Sequence, residues 1–186
     1  MSAAAEPTFQ QAMEITAQWL TLWEAGELSE EVLADRVGEL VGSRDGARGF
    51  FVVALAGESP LLDRLSEPLL LQLRRAGELV VDLTARNLAM STAMVLAHGR
   101  SGDSDQQAGS RRVQARATEL LRHLEPQAVL LRLKTLLEAT RDGEGEDPGQ
   151  DNAAVTSDRA FLERWGYDME QRQAIAAAIE AVAEPA

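Results

Sequence analysis

The stretch ELVVDLTARNLAMSTAMVLAH, Glu78 to His98, most constrains what this chain can become. Apolar side chains fall on almost every side of a helix drawn through it, and a helix that is apolar all round has to be surrounded. Asp82, Arg86 and Asn87 interrupt the run, and the chain nowhere offers the roughly eighteen uninterrupted apolar residues that mark a membrane span. No span is therefore expected, and the rest of the chain must supply the shell. Leu and Ala are abundant while aromatic residues make up 4%, a balance that favours helices in that shell over strands.

The flanking segments carry the matching pattern. Phe9, Met13, Thr16, Leu20 and Trp23 recur at three- and four-residue steps, which predicts a first helix over about 7–25, stopped by Gly26. Ser29 is placed to cap a second helix, which buries Leu33, Val37, Leu40 and Val41, and Leu28 with Leu33 has the spacing of a hydrophobic staple. Gly42 to Gly49, GSRDGARG, reads as a glycine-rich loop. Ser66, Glu67 and Pro68 read as a helix start and Gly77 as its stop. Asp82 and Arg86, four apart on the central helix, are spaced for an exposed ion pair.

Beyond that helix, Gly99 to Ser110 reads as a flexible connection or a frayed helix start. A helix with Val113, Ala117, Leu120, Leu121 and Leu124 follows, and Pro126 turns the chain into another with Leu130, Leu133, Leu136 and Leu137. Arg111, Arg112, Arg116 and Arg122 are read as the solvent face of their helix. Residues 141–157 are acidic, Gly-rich and nearly devoid of apolar side chains, the composition of a flexible linker. Asp168 and Gln171 then form a capping-box pattern before a stripe of Ile175, Ile179 and Val182.

ARGFFVVALAGESP, Ala47 to Pro60, admits two readings. As a strand it would present Ser59 like a nucleophile at a tight turn. Gly57-Glu58-Ser59-Pro60-Leu61 lacks the second glycine of the nucleophile elbow, however, and a lone strand cannot satisfy its backbone groups in a core. The segment is read as a short buried helix closed by Gly57, with both phenylalanines in the core.

Charge and composition narrow the function classes. The net charge is −12, and residues 1–42 hold eight carboxylates against Arg36 alone, which argues against nucleic acid as a partner. With no cysteine, disulfides, thiolate metal sites and cysteine nucleophiles are excluded. The N-terminal MSAAAEPTFQQ has no signal-peptide pattern, so a cytoplasmic location is expected. No catalytic set, cofactor motif or metal-ligand spacing is found, and the acidic residues between Asp142 and Asp147 lack the spacing of a calcium loop.

Two groups remain as candidate sites. Asn87, Ser91 and His98 line one side of the central helix and form a polar seam that a ligand cavity would use. Trp19 and Trp23 lie one turn apart, and Trp165, Gly166 and Tyr167 form an aromatic turn; both have the residue types favoured where proteins meet.

FLERWGYDMEQRQAIAAAI, Phe161 to Ile179, resembles the first loop of ubiquitin-associated-type three-helix domains, with Trp165 where that family usually has methionine. The resemblance implies that Gly166 and Tyr167 form a recognition turn. The stretches ARGFFVVALAGESPLLDRL, NLAMSTAM and FLERWGYD are together similar to a family of uncharacterised helical proteins of cyanobacteria, which implies a cytoplasmic setting in a photosynthetic cell and no particular activity.

The expected architecture is an all-α, multi-helix bundle over 1–140 around the 78–98 helix, then the linker over 141–157, then a C-terminal helical hairpin over 158–186 that packs on the bundle or is tethered to it. The alternative is an α+β domain with strands at 50–55 and 79–83. The expected function is a non-enzymatic adaptor, regulator or assembly factor that binds a protein partner or itself. The alternative is a small-molecule-binding domain or enzyme using Asn87, Ser91 and His98.

Overall fold

The computed structural model describes residues 6–141 and 153–183, and among them every regular element is helical. The order is α1 (Phe9–Glu24), α2 (Glu30–Leu40), α3 (Arg44–Ala56), a 3-10 turn (Pro60–Leu62), α4 (Glu67–Arg75), α5 (Glu78–Ser101), α6 (Ser104–His123), α7 (Pro126–Thr140), α8 (Ala153–Arg164) and α9 (Met169–Val182). Helix starts follow the expected capping chemistry. The side chains of Thr8, Ser29, Ser43, Ser66, Asp103 and Asp168 each accept a hydrogen bond from the first turn that follows. Each such cap contributes about 1 kcal/mol.

α5 is the central element, packed against α3, α6, α7 and α9. Ala85, Ala89 and Ala93 are fully buried at four-residue steps, a stripe of small side chains that lets neighbouring helices come close. Its buried hydroxyls are satisfied by its own carbonyls one turn back: Thr84 donates to Val80 O and Thr92 to Leu88 O, both at 2.7 Å. By length and mean hydropathy α5 is the one described helix that could cross a membrane, with half of its most apolar window buried inside the protein.

The α+β alternative fails, because 50–55 lies inside α3 and 79–83 inside α5. Phe50 and Phe51 are buried with their rings edge-on, 5.2 Å apart. The glycine-rich 42–49 segment is corrected too. Only its first residues turn; Ser43 caps α3 by accepting the Gly46 N–H at 3.1 Å, and the helix runs from Arg44. Its glycines serve packing. A Cβ at Gly49 would stand 2.5 Å from the Ala12 Cβ and 2.8 Å from the Phe9 carbonyl oxygen, so the absent side chain is what lets α1 lie against α3.

The polar 99–110 stretch is likewise mostly helix. α5 continues to Ser101, Gly102 turns the chain at φ +74°, and Asp103 caps α6. The polar side chains of α6 reach back to α5: Gln107 donates to Val95 O and Gln114 to Thr92 Oγ1, both at 3.0 Å.

Two charged residues are buried in the bundle, one of them expected on a solvent face. Arg116 is 3% exposed instead of facing solvent. It lies three residues after Val113 and four before Leu120, so it falls on the apolar stripe of α6, not opposite it. Its guanidinium donates to both Asp63 carboxylate oxygens at 2.7 Å and to the carbonyls of Ala54, Leu55, Gly57 and Ser59. These include carbonyls at the end of α3 that no helical N–H reaches, so Arg116 caps that helix from across the bundle.

Asp158 is the second. It is 2% exposed, accepts two bonds from Arg132 at 2.6 and 2.9 Å, and stands 3.6 Å from Arg86. Arg132 and Arg86 also share Asp82 Oδ1, at 2.7 and 3.2 Å, so the expected Asp82–Arg86 pair is part of a four-residue cluster joining α5, α7 and α8. α8 accordingly begins at Ala153, inside the span read as linker, because Val155, Asp158 and Leu162 are buried at helical spacing. The rest of that expectation, 142–152, lies outside the described residues.

Candidate functional site

The α8–α9 turn, which contains Trp165, Gly166 and Tyr167, is built to hold one shape. Gly166 adopts φ +64°, which a residue with a side chain rarely does. Its N–H reaches Glu163 O at 2.9 Å and the Tyr167 N–H reaches Leu162 O at 3.3 Å, the paired bonds of a Schellman motif. That motif places an apolar residue back against the helix it ends, and here Tyr167 meets Phe161 edge-on at 6.5 Å. Tyr167 is buried, which pushes its phenol up to about 12.

α9 starts at once from Asp168. Its Oδ1 accepts the Gln171 N–H at 2.9 Å, while Gln171 Oε1 accepts the Asp168 N–H at 3.0 Å, the capping box expected from the sequence. The Gln171 amide also donates to Ala93 O of α5 at 3.1 Å, and Arg172 Nε donates to Tyr167 O at 3.2 Å. Arg100 closes the turn from the far end of α5, donating to Asp168 Oδ2 at 2.6 Å and pairing with Glu170. The Arg100 guanidinium, with help from the Gln171 N–H, holds the Asp168 carboxyl below the usual carboxylate range.

On this fixed turn Trp165 is 53% exposed, and Met169, at the first position of α9, is 65% exposed. Of the Trp-Gly-Tyr triplet, only the tryptophan ring is presented outward. Met169 has no place in the sequence reading, since a methionine just inside a helix cap looks like a core residue until the opposite face is seen to be the buried one.

The other candidates are placed differently. Trp19 and Trp23 are half-buried against the core of the bundle, and Trp19 lies beneath the Arg36 guanidinium at 5.8 Å. Asn87 Nδ2 donates to Leu83 O at 2.8 Å, and Ser91 Oγ donates to Asn87 O at 2.7 Å. Both side chains thus bond to their own helix. Ser59 follows α3 in a turn, as expected, with its Oγ buried and without a hydrogen-bond partner, so no base contacts it. Among the described residues no group of three or more His, Asp or Glu side chains is placed to hold a metal ion.

The family described as uncharacterised conserved protein UCP020893 matches this chain over residues 8–182, from the residue that caps α1 to the last residue of α9. No curated protein and no solved structure matches it.

Proposed function

Since the chain belongs to that family, whose description specifies no chemistry, we propose a function from the molecule's own surface: a non-enzymatic adaptor, regulator or assembly factor that engages another protein through the Trp165 turn. The observation that supports this reading is a tryptophan and a methionine left outside a turn whose every other side chain is tied down. Rigid, exposed aromatic residues lose little conformational freedom on binding and supply most of the energy where proteins meet. The resemblance of the turn to the recognition loop of ubiquitin-associated-type domains points the same way, and the resemblance to cyanobacterial proteins would put the partner in the cytoplasm of a photosynthetic cell. The small-molecule alternative at Asn87, Ser91 and His98 gains nothing, because the Asn87 and Ser91 side chains bond within α5.

The test is to identify proteins retained by the immobilised chain but not by Trp165→Ala, then measure the purified partner against both. Loss of a central tryptophan contact is expected to cost about 2 kcal/mol or more of binding, roughly thirtyfold in affinity, with the melting temperature unchanged. Equal retention by both proteins, with no self-association in light scattering, would remove the reading.

A further inference from the structure

The N-terminal halves of α7 and α8 lie beside the first turns of α5 and leave a cleft of about 440 Å³ between them. That volume lies within the range of small-ligand sites. One wall is apolar, made by Val81, Ala128 and Leu131, and Leu131 stays 68% exposed at the rim. The floor is the Asp82–Arg86–Arg132–Asp158 cluster.

The charges in this cleft do not balance. Arg132 is matched by Asp158 through two bonds, and Arg86 and Arg132 both donate to Asp82 Oδ1. The exposed Glu78 side chain, one turn before Asp82 on the same face of α5, makes no ion pair or hydrogen bond among the described residues, and Asp82 Oδ2 accepts no hydrogen bond there. Two carboxylates four residues apart on a helix repel each other. Here both guanidinium groups meet Asp82 through Oδ1, which leaves its Oδ2 and the whole Glu78 carboxylate as the acceptors at the cleft.

The geometry points to this cleft as a binding site for a primary ammonium carried on an aliphatic stem. The ammonium would sit between Glu78 and Asp82 Oδ2, and the stem would lie against Val81, Ala128 and Leu131. An ammonium has three donors on a single atom and suits two separate acceptors. A divalent metal needs more oxygens than the cleft supplies: calcium takes six to eight, and no group of three metal-binding side chains occurs among the described residues. The exposed Leu131 is then a surface the stem covers. This site is separate from the Trp165 turn and does not depend on it.

The same chemistry is offered by a free amine and by a lysine side chain. The full chain is therefore titrated, in NMR spectra at neutral pH, with n-pentylamine and with a blocked Ala-Lys-Ala peptide. Saturable shifts confined to residues around 78–82 and 128–131 are expected. A response to the amine alone assigns a free ligand, and a response to the peptide assigns a partner's lysine. Glu78→Gln, which leaves the ionic floor intact, is expected to weaken binding about tenfold, and Leu131→Ser to weaken it as well. The proposal is overturned if neither probe saturates, if n-pentanol gives the same shifts, or if Glu78→Gln binds as tightly as the wild type.

Discussion

Arg116 shows how much one side chain can do when it is placed among unmatched carbonyls. Its six hydrogen bonds join α6 to the end of α3, to the turn that follows it and to Asp63, and all are made away from solvent on the arginine's side. Lysine cannot reproduce that fork, because its donors radiate from one atom. Arg116→Ala leaves those carbonyls without partners and is expected to cost about 3–5 kcal/mol, with Arg116→Lys only partly better, as read from urea unfolding at neutral pH. Asp63 adds a pH dependence. The hydrogen bond from Arg116 is the main cause that holds its carboxyl below the ordinary value, against a smaller opposing effect of burial. A carboxyl lowered in the folded state stabilises the fold above its unfolded value near 4, and that contribution fades as pH falls through the folded value. Asp63→Asn should therefore flatten the loss of stability as pH falls below about 4, seen by repeating the urea series at successively lower pH. The position of Arg116 was readable: it falls on the stripe between Val113 and Leu120, as Asp158 falls between Val155 and Leu162. A charged residue at an apolar spacing marks a buried partner. What the spacing does not reveal is which partner, since Asp63 and Arg132 come from distant parts of the chain.

At the scale of elements, caps and stops were the most legible features, because they are local. Ser29, Ser66, Gly77, the Asp168–Gln171 box and the closure of α3 at Gly57 all stand where the sequence placed them. Glycine and polar runs were misread where a helix uses them for contact with another helix, as in 42–49 and 99–110. Two substitutions separate these uses by sign. Gly49→Ala drives a methyl group into Ala12 and the α1 backbone and is expected to destabilise by about 1–3 kcal/mol. Gly109, inside α6, has open space where its Cβ would be, so Gly109→Ala should stabilise by about 0.5–1 kcal/mol through helix propensity alone. Chemical denaturation of the two variants beside the wild type is enough, and matching signs would contradict the packing role given to Gly49. The candidate turn was only half legible for a related reason. Its backbone shape follows from Gly166 and Asp168, but which of Trp165, Tyr167 and Met169 faces out depends on how the hairpin meets α5.

At the scale of the molecule, the question is whether the hairpin of α8 and α9 folds with the bundle or apart from it. Its buried residues, Leu162, Ile175, Ile179 and Val182, belong to the same continuous core as those of α5 and α6. Polar ties cross at both ends: Arg132 to Asp158, Gln171 to Ala93 O, Arg100 to Asp168, and Arg122 to the carbonyls of Ala181 and Val182 at the end of α9. With core and ties shared, neither part can open without exposing apolar surface of the other, so unfolding should be a single cooperative transition. The three tryptophans allow a direct reading. A chain keeping Trp165 alone, through Trp19→Phe and Trp23→Phe, reports on the hairpin, and Trp165→Phe reports on α1. Corrected for each variant's own stability by circular dichroism, the fluorescence midpoints in urea are expected to coincide with the loss of helix. Asp158→Asn then supplies the stress. It leaves Arg132 buried beside a neutral amide and should cost about 3 kcal/mol. In a single unit that loss lowers the transition seen at Trp165 and the one seen at Trp19 and Trp23 by the same amount. A transition that moves only at Trp165 would mean that the hairpin docks as a separate unit, and the surface of α5 beneath it would then be open to a partner whenever the hairpin lifts.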